Sequence, residues 1–349
     1  MPGSPALSAA LGAATAPGWS RAIAAGAIVV AIAVLAVVHL SVGEPRVEPG
    51  QLPGILMGDS GERLDRLVVR ELRVPRLILA LFAGAALGLS GAILQFVLRN
   101  PLASPELLGV SAGASLAMAV ILLLNAPILF ALHPVVALAG GLGGGLIVLA
   151  ASRGARTPIE AALIGVAVAA LLNGIILAVI SLAAASGAVQ VYFLYTVGNL
   201  SNRTWDHVQL VWPWVLVGIP AAFLLARGAN VLQLHEDVAS SLGMQARRMR
   251  LVFIALAALL VGSIVAVAGP IAWVGLLTPH IARLIVVRPD ARLVFPAATA
   301  IGALLVLAAD VLSKVLLYPH EVPVGLCTTL LAAPVILVLI RRSNLGLNQ

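Results

Sequence analysis

The chain has 349 residues, of which 61% are apolar and only 10% charged, against roughly a quarter charged in soluble domains. Its polar side chains cannot cover the surface of so large a body. A water-soluble globule is excluded, and lipid must supply the missing apolar contact. The formal charge is +7, but the arginines are scattered between apolar runs and Lys314 is the only lysine. No basic face exists for nucleic acid.

Residues 1–20 are rich in Ala, Gly and Pro, and Arg21 precedes an apolar run from Ala22 to Leu40. That run exceeds the roughly 7–15 residues of a signal-peptide core, so it reads as a retained first span. Nine more follow, giving spans near 22–41, 75–97, 107–124, 132–151, 159–184, 208–227, 250–268, 271–287, 292–316 and 323–341. Each approaches the roughly 20 residues that cross about 30 Å of hydrocarbon. Turn chemistry marks the breaks, as in Asn100-Pro101, Asn125-Ala-Pro127, His133-Pro134, Gly269-Pro270, Arg288-Pro289 and Tyr318-Pro319. The predicted fold is all-α and polytopic, with about ten transmembrane helices. It divides into an N-terminal cytoplasmic tail 1–21, one ten-helix unit 22–341 and a C-terminal cytoplasmic tail 342–349.

An even number of crossings puts both termini on one side. With that side cytoplasmic, the inner loops hold Arg99, Arg153, Arg156, Arg227, Arg247, Arg248, Arg250, Arg283, Arg288, Arg292, Arg341 and Arg342. This is the asymmetry that orients membrane proteins. The long outer loop 42–74 departs from it with Arg46, Arg63, Arg66, Arg70 and Arg73. Between Ala185 and Trp205 the aromatic stretch 191–195 suits a short helix at the outer interface. Inside, Gln233 to Arg250 places acids first and arginines last, as two short helices broken at Gly243 prefer. As the longest inner polar segment, it is where a cytoplasmic partner would push.

Several features favour structural over chemical readings. Gly140-Gly-Leu-Gly-Gly-Gly145 lies within a span and follows no strand, so it reads as close helix packing rather than a nucleotide loop. A P-loop needs Gly-Lys, whereas the one lysine follows Ser313. The chain therefore carries no ATPase of its own. No two of His39, His133, His207, His235, His280 and His320 stand at helical metal-site spacing, and His280 reads as a structural hydrogen bonder. No catalytic constellation and no metal site is expected. Cys327 reads as a small packing residue. Asp310 and Lys314 share a helical face as either an i, i+4 pair or a lysine awaiting an external acidic partner. Glu160 and Asn173 should face protein or a pathway.

Some stretches resemble a known family. They are Arg73-Val-Pro-Arg76, Ser90-Gly-Ala with Gln95, Asn100-Pro-Leu-Ala103, Leu108-Gly-Val-Ser-Ala-Gly113, Ala239 to Gly243, Ala268-Gly-Pro270, Gly275-Leu-Leu-Thr-Pro-His280 and Val322-Pro-Val-Gly325. They are similar to the permease subunits of the iron-siderophore, haem and vitamin B12 ABC importers, over nearly everything after residue 70. The resemblance implies the type II ABC importer permease fold in a bacterial inner membrane. It also implies a second permease subunit, two cytoplasmic ATPase subunits carrying ATP and Mg, and a periplasmic or lipid-anchored binding protein. Arg73 and Arg76 match outer arginines that pair with binding-protein glutamates, and Lys314 stands where the B12 permease has a further arginine. Asn100 and Leu102 match inner-gate residues, with Thr157 near the same constriction. Segment 236–248, with Glu236, Ala239, Ser240, Leu242 and Gly243, looks like the coupling helices seated in the ATPases. The expected cargo is a ferric siderophore, with haem and cobalamin as alternatives. An ion-coupled secondary transporter is the rival class; such proteins keep carboxylates within their spans, whereas here only Glu160 and Asp310 qualify and both sit near span ends.

Overall fold

The computed structural model describes residues 18–59, 61–124, 126–154, 158–182, 196–234, 244–286 and 289–345. Among these there is no strand. The ten long helices are α1 Gly18–Ser41, α2 Val74–Val97, α3 Val110–Leu123, α4 His133–Ala151, α5 Pro158–Leu182, α6 Trp205–Leu232, α7 Ala246–Ala268, α8 Val274–Val286, α9 Ala291–Val315 and α10 Val324–Leu345. They fall within a few residues of the ten predicted spans.

Seven helical stretches of the described residues are long and apolar enough to cross a membrane. Helices α3, α8 and the apolar part of α10 (Val324–Val335) are shorter. The 14 residues of α3 rise only about 21 Å. Gly109, at φ 69°, sets its start, and the irregular stretch before it has Ala103 and Ser104 at 3% and 2% exposure. Non-helical backbone at such depth is tolerated where protein shields it. Gly269, at φ 74°, likewise ends α7 and leads into the irregular link before α8.

Helices α2 and α7 are the most enclosed, while α1 and α5 present most of their surface outward. The most extensive contact is α2 against α9, and it runs on glycine. A Cβ on Gly84 would lie 2.1 Å from the Gly302 carbonyl oxygen, and one on Gly302 equally close to that of Gly84. Missing side chains let these backbones touch, which is how helices associate in lipid. The Gly140–Gly145 run packs α4 on α3 in the same way, because a Cβ on Gly140 or Gly144 would meet the carbonyls of Gly113 or Gly109. Three fully buried hydroxyls are satisfied within their own helices, with Ser90, Ser263 and Thr278 donating to Leu87, Leu260 and Val274 carbonyls.

The stretch between α1 and α2 is more ordered than the long polar loop expected there. Residues 42–73 form a turn at Pro49–Gln51, short helices Leu52–Met57 and Arg63–Leu67, and a π-helical turn Val68–Arg73 running directly into α2. Val47, Leu52, Ile55 and Val69 make a small core beneath them. Two polar links tie this cap down: Trp205 Nε1 donates to Arg70 O at 3.0 Å, and Tyr318 donates to Glu44 at 2.5 Å. Four apolar residues in a charged stretch carry no helical-span signal, which is why the sequence reads it only as a long loop.

Candidate docking socket and gate turn

The ends of α1, α9, the cap and the loop before α6 meet on one face around Arg76. Its guanidinium forks onto Asp310, with Nε to Oδ2 and Nη2 to Oδ1 both at 2.9 Å. The outer nitrogen Nη1 reaches Glu321 at 2.8 and 2.9 Å. Asp310 is fully buried and also meets His39 Nε2 at 2.7 Å. Glu321 accepts from Ser201 at 2.5 Å. Burial alone would raise the Glu321 carboxyl's pKa, but the Arg76 charge and the Ser201 hydrogen bond outweigh it and hold it low.

Arg73 and Lys314 close the last turn of α1. Arg73 Nη1 donates to Leu40 O at 2.7 Å and Nη2 to Pro45 O at 2.5 Å, while Lys314 Nζ donates to His39 O at 3.1 Å. Helix C-terminal carbonyls lack internal donors and favour cations, so both side chains have a structural task here. Of the two readings of Asp310 and Lys314, the i, i+4 pair is not what forms: Asp310 takes Arg76 and His39 instead. Sequence spacing shows neighbours on one helix and misses a partner from another.

These groups border a cavity of about 480 Å³. Its walls include the cations Arg73, Arg76, Arg203 and Lys314 against two carboxylates, Glu44 and Glu321. Arg46, Arg63 and Arg70 are exposed around the same cap. Arg73, Arg76 and Lys314 are thus brought together, each 5–7% exposed. His39, Asp310, Glu321 and Ser201 complete the group. Asp310 stood out in the sequence beside Lys314 on one helical face, whereas the other three had no such signal.

On the opposite face lies the turn after α2. Asn100 accepts from Leu102 N through Oδ1 at 2.9 Å, and Leu102 is 43% exposed. Thr157 lies outside the described residues, as do Glu236, Ala239, Ser240, Leu242 and Gly243 and the aromatic stretch 191–195. The helix ends on this face are well tied. Gln95 Nε2 donates to Leu276 O at 3.3 Å, and its Oε1 accepts from Arg283 at 2.5 Å. His280 donates to its own helix at Leu276 O, 2.9 Å away, as a structural histidine does. Asp290 caps α9; its hydrogen bond from Arg292, with help from Asn230, brings its pKa down to about 2. Burial raises the Glu106 carboxyl next to the turn, a residue that sequence reading passed over. Cys327 is fully buried. Asn173, in mid-span on α5, is exposed on the single chain.

Residues 29–342 match the FecCD transport family. The chain is 36% identical over 320 residues to the Fe(3+)-citrate import system permease protein YfmE of Bacillus subtilis, covering 90% of this chain and 93% of that one. It is 38% identical over 284 residues to the Fe(3+) dicitrate transport system permease protein FecC of Escherichia coli, covering 80% and 84%. With the hemin transport system permease protein HmuU of Yersinia pestis the identity is 37% over 279 residues, covering 78% and 83%. Among solved structures, an inward-facing metal-chelate type ABC transporter superposes with TM-score 0.78 over 90% of this chain and 98% of that one, at 24% identity. That likeness bears on the fold, which is that of an ABC transporter permease. A multi-pass membrane chain matched by one family over residues 29–342, and identical to those permeases at more than a third of the aligned positions, belongs to the FecCD transport family.

Proposed function

We propose that this chain is the permease subunit of an ATP-binding-cassette importer that carries an iron complex, a ferric siderophore, across the bacterial inner membrane. The unit 22–341 pairs with a second permease subunit, identical or paralogous. Exposed Asn173 supports α5 as a face toward that partner or the path between them, since a lone amide is costly against lipid. Both termini lie in the cytoplasm, which puts the arginine-rich loops inside. Segment 236–248 seats two separate ATPase subunits that bind ATP and Mg. Asn100, Leu102 and Thr157 form the inner gate. Haem is the alternative cargo, as HmuU illustrates, with cobalamin third.

The observation that carries this reading is the cation-walled cavity on the outer face. An acidic side chain of a substrate-binding protein fits there between Arg73, Arg76 and Lys314. Rim charges chiefly set encounter rate and salt dependence, and enclosed ones add affinity. Arg73→Gln is therefore expected to weaken association with the binding protein and flatten its salt dependence. Lys314→Met should do so less, because an ammonium lacks the guanidinium fork. Titrating the binding protein onto permease in nanodiscs at low and high salt checks this. Affinity and salt slope unchanged in both variants would limit these cations to closing α1. Mass spectrometry of the chelate on the co-purified binding protein tests the cargo. A ferric siderophore supports the reading, and haem or a corrinoid overturns that part of it.

A further inference from the structure

Two links join α2 and α6 in opposite directions at the cytoplasmic face. Arg99 comes just after α2 in the left-handed region, at φ 49°. Its Nε donates to Leu232 O at 2.7 Å, and Nη2 donates to Leu234 O. In return, Gln233 Nε2 donates to Phe96 O at 2.6 Å. Each side chain reaches across to the other helix's final turn, where carbonyls lack internal donors. A cation there also suits the negative end of the α6 dipole.

Each anchor is continuous with a further fastened stretch of chain. Directly after Arg99, Asn100 holds Leu102 N through its side chain and Ala103 N through its carbonyl at 3.0 Å, so 99–103 turns as one piece. On the other side, Asn230 donates to Asp290 and accepts from Ala291 N, both at 2.7 Å. Residues 230–234 are thereby fastened to α2 and to the start of α9. Beyond them the chain enters the segment proposed for ATPase docking.

We infer that Arg99 and Gln233 are positioning residues that transmit displacement of the ATPase-docking segment to the Asn100–Ala103 gate turn; this rests on the function proposed above. Neither touches cargo or nucleotide. Their part is to make the end of α6 and the gate turn move together. A merely structural cap would affect only how much permease folds.

The test uses the complete transporter in proteoliposomes, measuring iron uptake and ATP hydrolysis on the same preparation. Uptake per ATP hydrolysed is expected to fall about tenfold in Arg99→Gln, the scale of a lost charge-assisted hydrogen bond, and about fivefold in Gln233→Ala, the scale of a neutral one. Arg99→Lys should recover part of the ratio, since an ammonium can still meet one carbonyl. An unchanged ratio in both variants would overturn the inference, whatever happened to yield. Should Arg99→Gln not assemble, Gln233→Ala decides, because it removes a single hydrogen bond. Wild-type transporter runs alongside: failure of its ATP-driven uptake counts against the proposed function, whereas normal wild-type coupling with unaltered variants counts against this link alone.

Discussion

Replacing Arg76 with alanine is expected to leave little folded permease. The change strands Asp310, fully buried and held by two guanidinium nitrogens and His39. Breaking a buried pair by removing one partner costs about 3–5 kcal/mol, since the remaining charge has neither water nor counter-ion. Glu321 also loses its cation, and α2, α9 and the end of α1 lose their common fastening. Asp310→Asn should be milder, because an amide can still meet Arg76 through its oxygen. Thermal denaturation of detergent-solubilised permease, followed by size-exclusion chromatography, separates the cases. Wild-type stability in Arg76→Ala would mean that the pair is dispensable for the fold and available for docking alone.

A comparable loss is expected from Gly302→Leu. The Cβ alone would sit 2.1 Å from the Gly84 carbonyl oxygen, so α2 and α9 cannot keep their separation. Overpacking against movable side chains costs about 1–3 kcal/mol. Here the obstacle is backbone, so the effect should exceed that range. Because α2 is also the most enclosed helix together with α7, displacing α9 disturbs the centre of the bundle. Gly143→Leu serves as the control, having nothing within 4 Å of its Cβ position. Equal yields of folded protein from both variants would show that the α2–α9 contact is looser than the glycine packing requires.

The long helices were legible because apolar length and turn residues report directly on membrane crossing. So was the role of Gly140–Gly145, since small residues within a span have few other uses. Less visible was the cap over 42–73. Its core of Val47, Leu52, Ile55 and Val69 is spread through a charged stretch, and short helices held by tertiary contacts leave little periodicity. The resemblance placed Arg73, Arg76 and Lys314 together, and the fold does bring them to one cavity. It gave no hint that Arg73 and Lys314 close α1 or that Asp310 binds His39. Those links join residues more than thirty positions apart, and such contacts emerge only when helices pack. The Arg99 and Gln233 links escaped notice for the same reason.

We propose ATP-driven import of an iron complex through this permease. Its most direct measurement is uptake of radiolabelled ferric siderophore into proteoliposomes that hold the permease, its ATPase subunits and the loaded binding protein. Accumulation should require ATP and Mg on the ATPase side and stop when the binding protein is omitted. Uptake that proceeds without nucleotide, driven by a proton or sodium gradient, would make the protein an ion-coupled transporter instead.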